Sequence, residues 1–231
     1  MKTQKHIATA FLGLMTMALA ITACNDKNDT PQPQGSALAI VHASPGNPEL
    51  AFRINGQKTE VKGLTFGVNI PYSLINPGAY ELSVSKKDST RVFGKTIVDL
   101  KSGKVYSAFI ADVPAKTGFV LIEDDLTAPA ADKANVRFVN MSPDAGSLDL
   151  GITGAATPLF TKTNFKAATA FAAVNPGTEV NFEIKENTKP EVLAKLEKVK
   201  IEKGKIYTIW AKGLKAATDT TKLTVKILTN K

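Results

Sequence analysis

The sequence predicts an all-β protein, built as two tandem antiparallel β-sandwich modules of immunoglobulin-like type that follow an N-terminal export segment. Three observations carry that prediction. Sequence landmarks recur after 98 to 101 residues. Apolar and polar residues alternate with a period of two in many short runs, as half-buried strands require. An apolar stretch near the start ends at Cys24, the only cysteine of the 231 residues.

Residues 1–23 read as a signal peptide. Lys2 and Lys5 give a basic start, Ala8 to Ile21 is apolar, and Ile21-Thr22-Ala23-Cys24 is a small-residue exit. Charged head, apolar middle and small-residue exit mark a secretory signal. The run is shorter than the roughly 20 residues that span a bilayer. Its last four residues resemble a bacterial lipobox, which implies that Cys24 is acylated and becomes the new N-terminus. The competing reading of Cys24 is a free thiol beside an ordinary cleavage site. Two or more acyl chains anchor a protein stably where one does not. The expected lipoprotein signal peptide therefore predicts membrane attachment through lipid. Residues 24–35 are the lipidated cysteine and a disordered tether, Asn25 to Gly35, which has nothing apolar to bury and contains Pro31 and Pro33. Asp26 and Asp29 loosely resemble the acidic surface-export signals of some Gram-negative lipoproteins. The expected location is the cell envelope of a Gram-negative bacterium, lipid-anchored to the outer membrane. With no further cysteine, stability in that oxidising compartment must come from packing.

Residues 36–127 and 133–231 are the two predicted sandwiches, joined by a Pro/Ala linker at 128–132. Ile40-Val41-His42-Ala43-Ser44-Pro45 recurs as Phe138-Val139-Asn140-Met141-Ser142-Pro143. Asn76-Pro77-Gly78 recurs as Asn175-Pro176-Gly177, and Gly103-Lys104-Val105-Tyr106 as Gly204-Lys205-Ile206-Tyr207. A repeat of this size is a domain and not a solenoid unit. In the first module, strands are expected over 37–43, 49–54, around Tyr80, Leu82 and Val84, over 104–111 and over 119–122. Asn55-Gly56 is a hairpin pair. In the second, Val180, Phe182 and Ile184 alternate with polar residues, as do Leu223, Val225 and Ile227. Residues 190–199 could form a helix with Val192, Leu196 and Val199 on one face. Their counterpart, 91–100, is rich in Val, Phe, Thr and Gly, and this favours a strand. Each Asn-Pro-Gly suits a type II turn, with proline presetting φ and glycine supplying positive φ.

Val41-His42-Ala43-Ser44-Pro45, followed by the alternating strand at 50–54 and its turn, resembles the opening of the domain of unknown function 4397. The Asn-Pro-Gly and Gly-Lys-Val-Tyr segments fit as well, and the second copy departs at Asn140-Met141. The resemblance covers both modules. It implies a tandem-domain bacterial lipoprotein of a family found in secreted and surface proteins, some described as adhesion modules. It transfers no catalytic residue.

Candidate sites are few. His42 is the only histidine after the export segment. A metal site wants several ligands and a general base wants partners, so a structural histidine is the simpler reading, and the second copy has Asn140. Glu123-Asp124-Asp125 could contribute to a calcium site, but it lacks a calcium-loop pattern and reads as a solvated strand end. No nucleophile elbow, phosphate loop, zinc-protease motif or dinucleotide fingerprint occurs. No cofactor or metal is expected, and the protein is read as not an enzyme. Charge is uneven: 36–127 carries 10 basic and 9 acidic residues, net +1, and 133–231 carries 16 and 9, net +7. Lys195, Lys198, Lys200, Lys203 and Lys205 form the densest basic stretch. They are the candidate ligand-facing residues for acidic glycan or lipopolysaccharide phosphate. A lysine-rich edge that blocks strand association is the alternative. Nucleic acid does not suit an exported chain without interleaved aromatic and basic residues. The expected function is a non-enzymatic envelope lipoprotein that presents its modules for protein or glycan binding or adhesion. The alternatives are a structural accessory subunit of an envelope assembly and a hydrolase with an inter-module site.

Overall fold

A computed structural model describes residues 35–231, which lie within one compact unit. The signal peptide, Cys24 and nearly all of the tether lie outside the described residues. Among the described residues the fold is all β apart from a single turn of 3-10 helix at Pro114–Lys116. Eight strands form the first module: β1 (Ser36–His42), β2 (Leu50–Ile54), β3 (Gln57–Lys58), β4 (Asn69–Ile75), β5 (Gly78–Lys86), β6 (Val92–Leu100), β7 (Val105–Ala111) and β8 (Gly118–Glu123). Eight form the second: β9 (Ala134–Met141), β10 (Leu148–Ile152), β11 (Phe160–Thr163), β12 (Ala172–Val174), β13 (Gly177–Glu186), β14 (Val192–Ile201), β15 (Ile206–Lys212) and β16 (Thr224–Thr229). The ambiguous segment near residue 195 is thus a strand, paired antiparallel to β13.

Each module is a two-sheet sandwich, with orders β4-β1-β7-β8 and β3-β2-β5-β6 in the first and β12-β9-β15-β16 and β11-β10-β13-β14 in the second. The purely antiparallel, immunoglobulin-like expectation needs correction. β1 pairs in parallel with β7, and β9 with β15. An immunoglobulin sheet sets its first strand beside its second, whereas here β1 lies between β4 and β7. The physical reason is burial. β1, β7, β9 and β15 are covered almost throughout, and parallel pairs belong in strands buried on both faces.

One face of these strands fills its own sandwich. Leu38, Ile40, Tyr106, Ala108 and Ile110 meet Phe52, Leu82 and Val84 in the first core, and Val136, Phe138 and Ile209 meet Leu150, Phe182 and Ile184 in the second. The other face builds a third core between the modules. Val41, Ala43, Phe109 and Ala111 pack against Val139, Met141, Trp210 and Leu228. The rings of Phe109 and Trp210 cross edge to face at 5.7 Å. The body is therefore four sheets deep, and the rule of one face in core and one in water fails for the central strands.

Turn chemistry follows the sequence in part. Asn55 (φ 50°) and Gly56 (φ 77°) make the β2–β3 hairpin turn, as an Asn-Gly pair should. The Asn-Pro-Gly segments are not type II turns. Gly78 has φ 146° and Gly177 is outside the positive-φ region, and both residues open strands. Glycine suits position 177, where a Cβ would stand 2.9 Å from Val180 Cγ2 and would force that side chain to move. The repeated Gly-Lys-x-Tyr has a tighter account. Tyr106 Oη accepts from Lys101 N at 3.2 Å and Tyr207 Oη from Glu202 N at 3.1 Å, so each tyrosine pins the turn before its own strand.

Candidate functional site

His42 is fully buried. Its Nδ1 accepts from Ser44 N at 3.3 Å, and Nε2 faces Pro48 O at 3.2 Å, which assigns the proton to Nε2. Burial pushes its pKa down to about 4. Asn140 repeats both bonds with an amide: Oδ1 accepts from Ser142 N at 3.0 Å, and Nδ2 donates to Gly146 O at 2.9 Å and to Thr163 O at 3.0 Å. The two side chains brace equivalent loops. The serines that follow are also matched. Ser44 Oγ donates to Asp112 O, and Ser142 Oγ to Gly213 O at 2.7 Å.

The acidic run does not converge. Glu123 pairs with Lys104 at 2.6 Å, and Asp125 accepts from Thr127 N at 2.9 Å. Asp124 turns inward, so the solvated reading is wrong for this residue. Its Oδ1 accepts from Arg137 Nη2 across the module interface, and Oδ2 accepts from Ser107 Oγ at 2.6 Å and from Tyr72 Oη at 2.7 Å. Arg137 and Asp124 side chains are 2 % and 0 % exposed. Arg137 Nε also donates to Thr208 Oγ1 at 2.8 Å, and its guanidinium lies 4.8 Å from the Phe171 ring centroid. Thr208 Oγ1 donates to Asn230 Oδ1, and Asn230 Nδ2 to Tyr72 Oη, each at 2.7 Å. Burial, with Asp124 beside it, pushes the Tyr72 phenol up to about 12. These charges are paired and enclosed. They hold the modules together, and neither the residue types nor their spacing pointed to the contact. Among the described residues, no group of three or more His, Cys, Asp or Glu side chains gathers as a metal site, and no helix is long and apolar enough to cross a membrane.

All five candidate lysines are exposed. β14 is an edge strand. Ala194, Leu196, Val199 and Ile201 face the core, which sends Lys195, Lys198 and Lys200 to the outer face. A register shift between Val180 and Phe182, with Lys198 at φ 55°, keeps Lys198 on that face. Lys203 and Lys205 occupy the turn that leads into β15. Lys200 pairs with Glu202 at 2.7 Å, an exposed pair that raises the lysine pKa through the bond and lowers that of the glutamate. Among the described residues, the other four make no ion pair.

A second feature escaped the sequence reading. In the first module, an open cleft of about 520 Å³ lies along the seam of the sandwich. Its walls are Leu38 and Ile40 of β1 and Phe52 and Ile54 of β2, with Val61 and Leu74 at the mouth. Leu74 is 88 % exposed. Segment 59–62 also walls a neighbouring hollow of about 350 Å³. In the second module Phe138 stands where the first has Ile40, and Phe160, opposite Leu150, also packs on the core. β3 has two residues where β11 has four.

Comparison with known proteins gives one family match: the description is "Domain of unknown function (DUF4397)", and residues 36–151 are matched. The matched span covers the first module, β9 and most of β10. No curated protein is similar enough to match the chain. Among solved structures, the C-terminal domain of AlgF from P. aeruginosa is similar over 42 % of this chain and 98 % of its own, at 20 % identity and TM-score 0.32. A family CBM26 module from Eubacterium rectale Amy13K, solved with maltoheptaose, is similar over 83 % and 96 %, at 11 % identity and TM-score 0.27. A streptococcal virulence factor described as binding alpha-glucan is similar over 78 % and 92 %, at 10 % identity and TM-score 0.26.

Proposed function

The chain belongs to the DUF4397 family, and from that premise we propose a non-enzymatic, lipid-anchored envelope protein whose paired β modules bind a polyanionic glycan. In this reading the second module is a divergent copy of the same domain. Cys24 carries the lipid, the tether at 25–35 leads from the outer membrane to the fold, and the lysines of the β14 edge meet the ligand. The observation that carries it is the exposed lysine row, of which four members make no ion pair within 4 Å among the described residues, although Lys195 lies near Glu183 and Lys205 near Glu202. It lies on the module that holds nearly all of the net charge. Such a field concentrates anions near the surface and is screened within about 8 Å at physiological salt. The shared core between modules fixes the row relative to the first module, so the surface is presented by one body and not by two beads on a string.

The test is binding of purified protein to immobilised lipopolysaccharide and to acidic and neutral polysaccharides across a salt series. Retention on the acidic ligands, lost with rising salt and abolished in Lys195→Glu/Lys198→Glu/Lys203→Glu, is the expected result. Equal retention of that variant would leave the lysines as protection of a strand edge only, and the glycan reading would fall.

A further inference from the structure

The apolar cleft of the first module is a site of different chemistry from the lysine row. Its inner walls are aliphatic and aromatic, and its polar neighbours are Ser73 of β4 and Thr59, Glu60 and Lys62 of the segment between β3 and β4. A pocket of a few hundred Å³ with such walls suits an apolar ligand. It offers a sugar few polar groups to orient it. The entry of the chain into the fold adds a second observation. Ser36 is paired with Ile75, and Leu38 with Ser73, so the first strand begins at the cleft. A Cβ built on Gly35 would stand 3.9 Å from Leu74 Cδ2 at the mouth. Ten residues separate Gly35 from Cys24. That chain reaches at most about 35–40 Å, which places anything attached to Cys24 within range of the cleft. A group held on so short a lead is presented at an effective concentration in the millimolar range, so a cleft of modest intrinsic affinity is filled.

We infer that the cleft of the first module receives a fatty acyl chain carried by Cys24, shielding it from water whenever the protein is off the membrane. The inference rests on the lipidation of Cys24 proposed above. The second copy follows the short linker at 128–132 and has no such tether at its own start. Val61→Phe supplies the test, since it sets a larger side chain among the residues that line the cleft.

Mass spectrometry of envelope-purified protein reads residue 24 first. An unmodified Cys24 overturns the anchor and this inference together. With Cys24 acylated, the cleft is tested separately, by titrating a chain of residues 35–231, the compact unit, with a fluorescent long-chain fatty acid. Saturable binding of one equivalent is expected, weakened by about tenfold or more in Val61→Phe with an unchanged thermal transition. Ala173→Arg, at the position in the second module that matches Leu74, is expected to bind normally. Absence of saturable binding by the folded chain overturns the cleft and leaves the anchor standing. Detergent-free acylated protein is expected to exclude the probe, and uptake equal to that of the 35–231 chain would show that the anchor's own chain lies elsewhere.

Discussion

His42 and Asn140 occupy matched positions and make the same two kinds of bond, one to the amide two residues on and one to a carbonyl six residues on. What the position demands is an acceptor and a donor, and not an imidazole. His42→Asn is therefore expected to stay within about 1 kcal/mol of the wild type in urea unfolding, whereas His42→Leu strands the buried Ser44 amide, at a cost of about 1–3 kcal/mol, and loses the bond to the carbonyl of the exposed Pro48. The same pair gives a pH test. The folded His42 stays neutral down to about 4, against 6.5 when unperturbed. Its contribution is complete above the higher value and is lost as pH falls through that window, because the unfolded chain takes the proton first. The loss by the acid end approaches about 3 kcal/mol, and His42→Asn should flatten that part of the stability curve. The buried ion pair sets a larger scale. Arg137→Met leaves Asp124 charged and enclosed, a change expected to cost about 3–5 kcal/mol, and Arg137→Met/Asp124→Leu should recover part of it. The sequence showed Asp124 only as the middle of an acidic run. Its partner lies beyond the linker, and no local pattern reports a contact made by docking two modules.

Strand positions were legible wherever apolar and polar residues alternate along the chain. β5, β13 and β16 alternate, and the repeat correctly turned the ambiguous 190–199 segment into a strand. β1, β7, β9 and β15 were legible as strands but not as central ones, since a run buried on both faces carries no alternation to say what covers it. The cleft was invisible for a related reason. It depends on how the side chains of β1, β2, β4 and segment 59–62 meet, and an apolar–polar pattern does not report a gap among apolar residues. Two element-level outcomes follow from the geometry. β14 ends its sheet with a free edge, so Lys195→Val/Lys200→Val should promote concentration-dependent association, measured by light scattering. Gly213, which follows β15, has φ 90°, and a Cβ there would stand 2.3 Å from Lys222 O. Gly213→Ala is expected to lower stability by at least about 2 kcal/mol. Gly204, at φ 78° with nothing near its missing Cβ, should cost only about 1 kcal/mol on the same change, and thermal unfolding separates the two.

At the scale of the whole molecule, the third core makes the duplicated chain one folding unit. Trp210, the only tryptophan, is 1 % exposed and lies in that core, so its fluorescence reports on module contact directly. Wild-type unfolding should be a single transition in which fluorescence and far-UV circular dichroism coincide. Trp210→Ala opens a cavity expected to cost about 3–5 kcal/mol and should split the calorimetric trace in two. The repeat and the module count were readable from recurrent motifs, but the joint between modules was not, because Val41, Phe109, Val139 and Trp210 look like ordinary core residues until a partner sheet is placed on them. The ion pair across that joint also sets a polarity. Ala39 of the first copy matches Arg137 of the second, and Asn230 matches Asp124. Two leading halves brought face to face would enclose two carboxylates beside alanine, and two trailing halves would enclose two guanidiniums beside asparagine. Only a leading half with a trailing half is neutral, so the joint needs one half of each kind, and neither half can be exchanged for a copy of its partner.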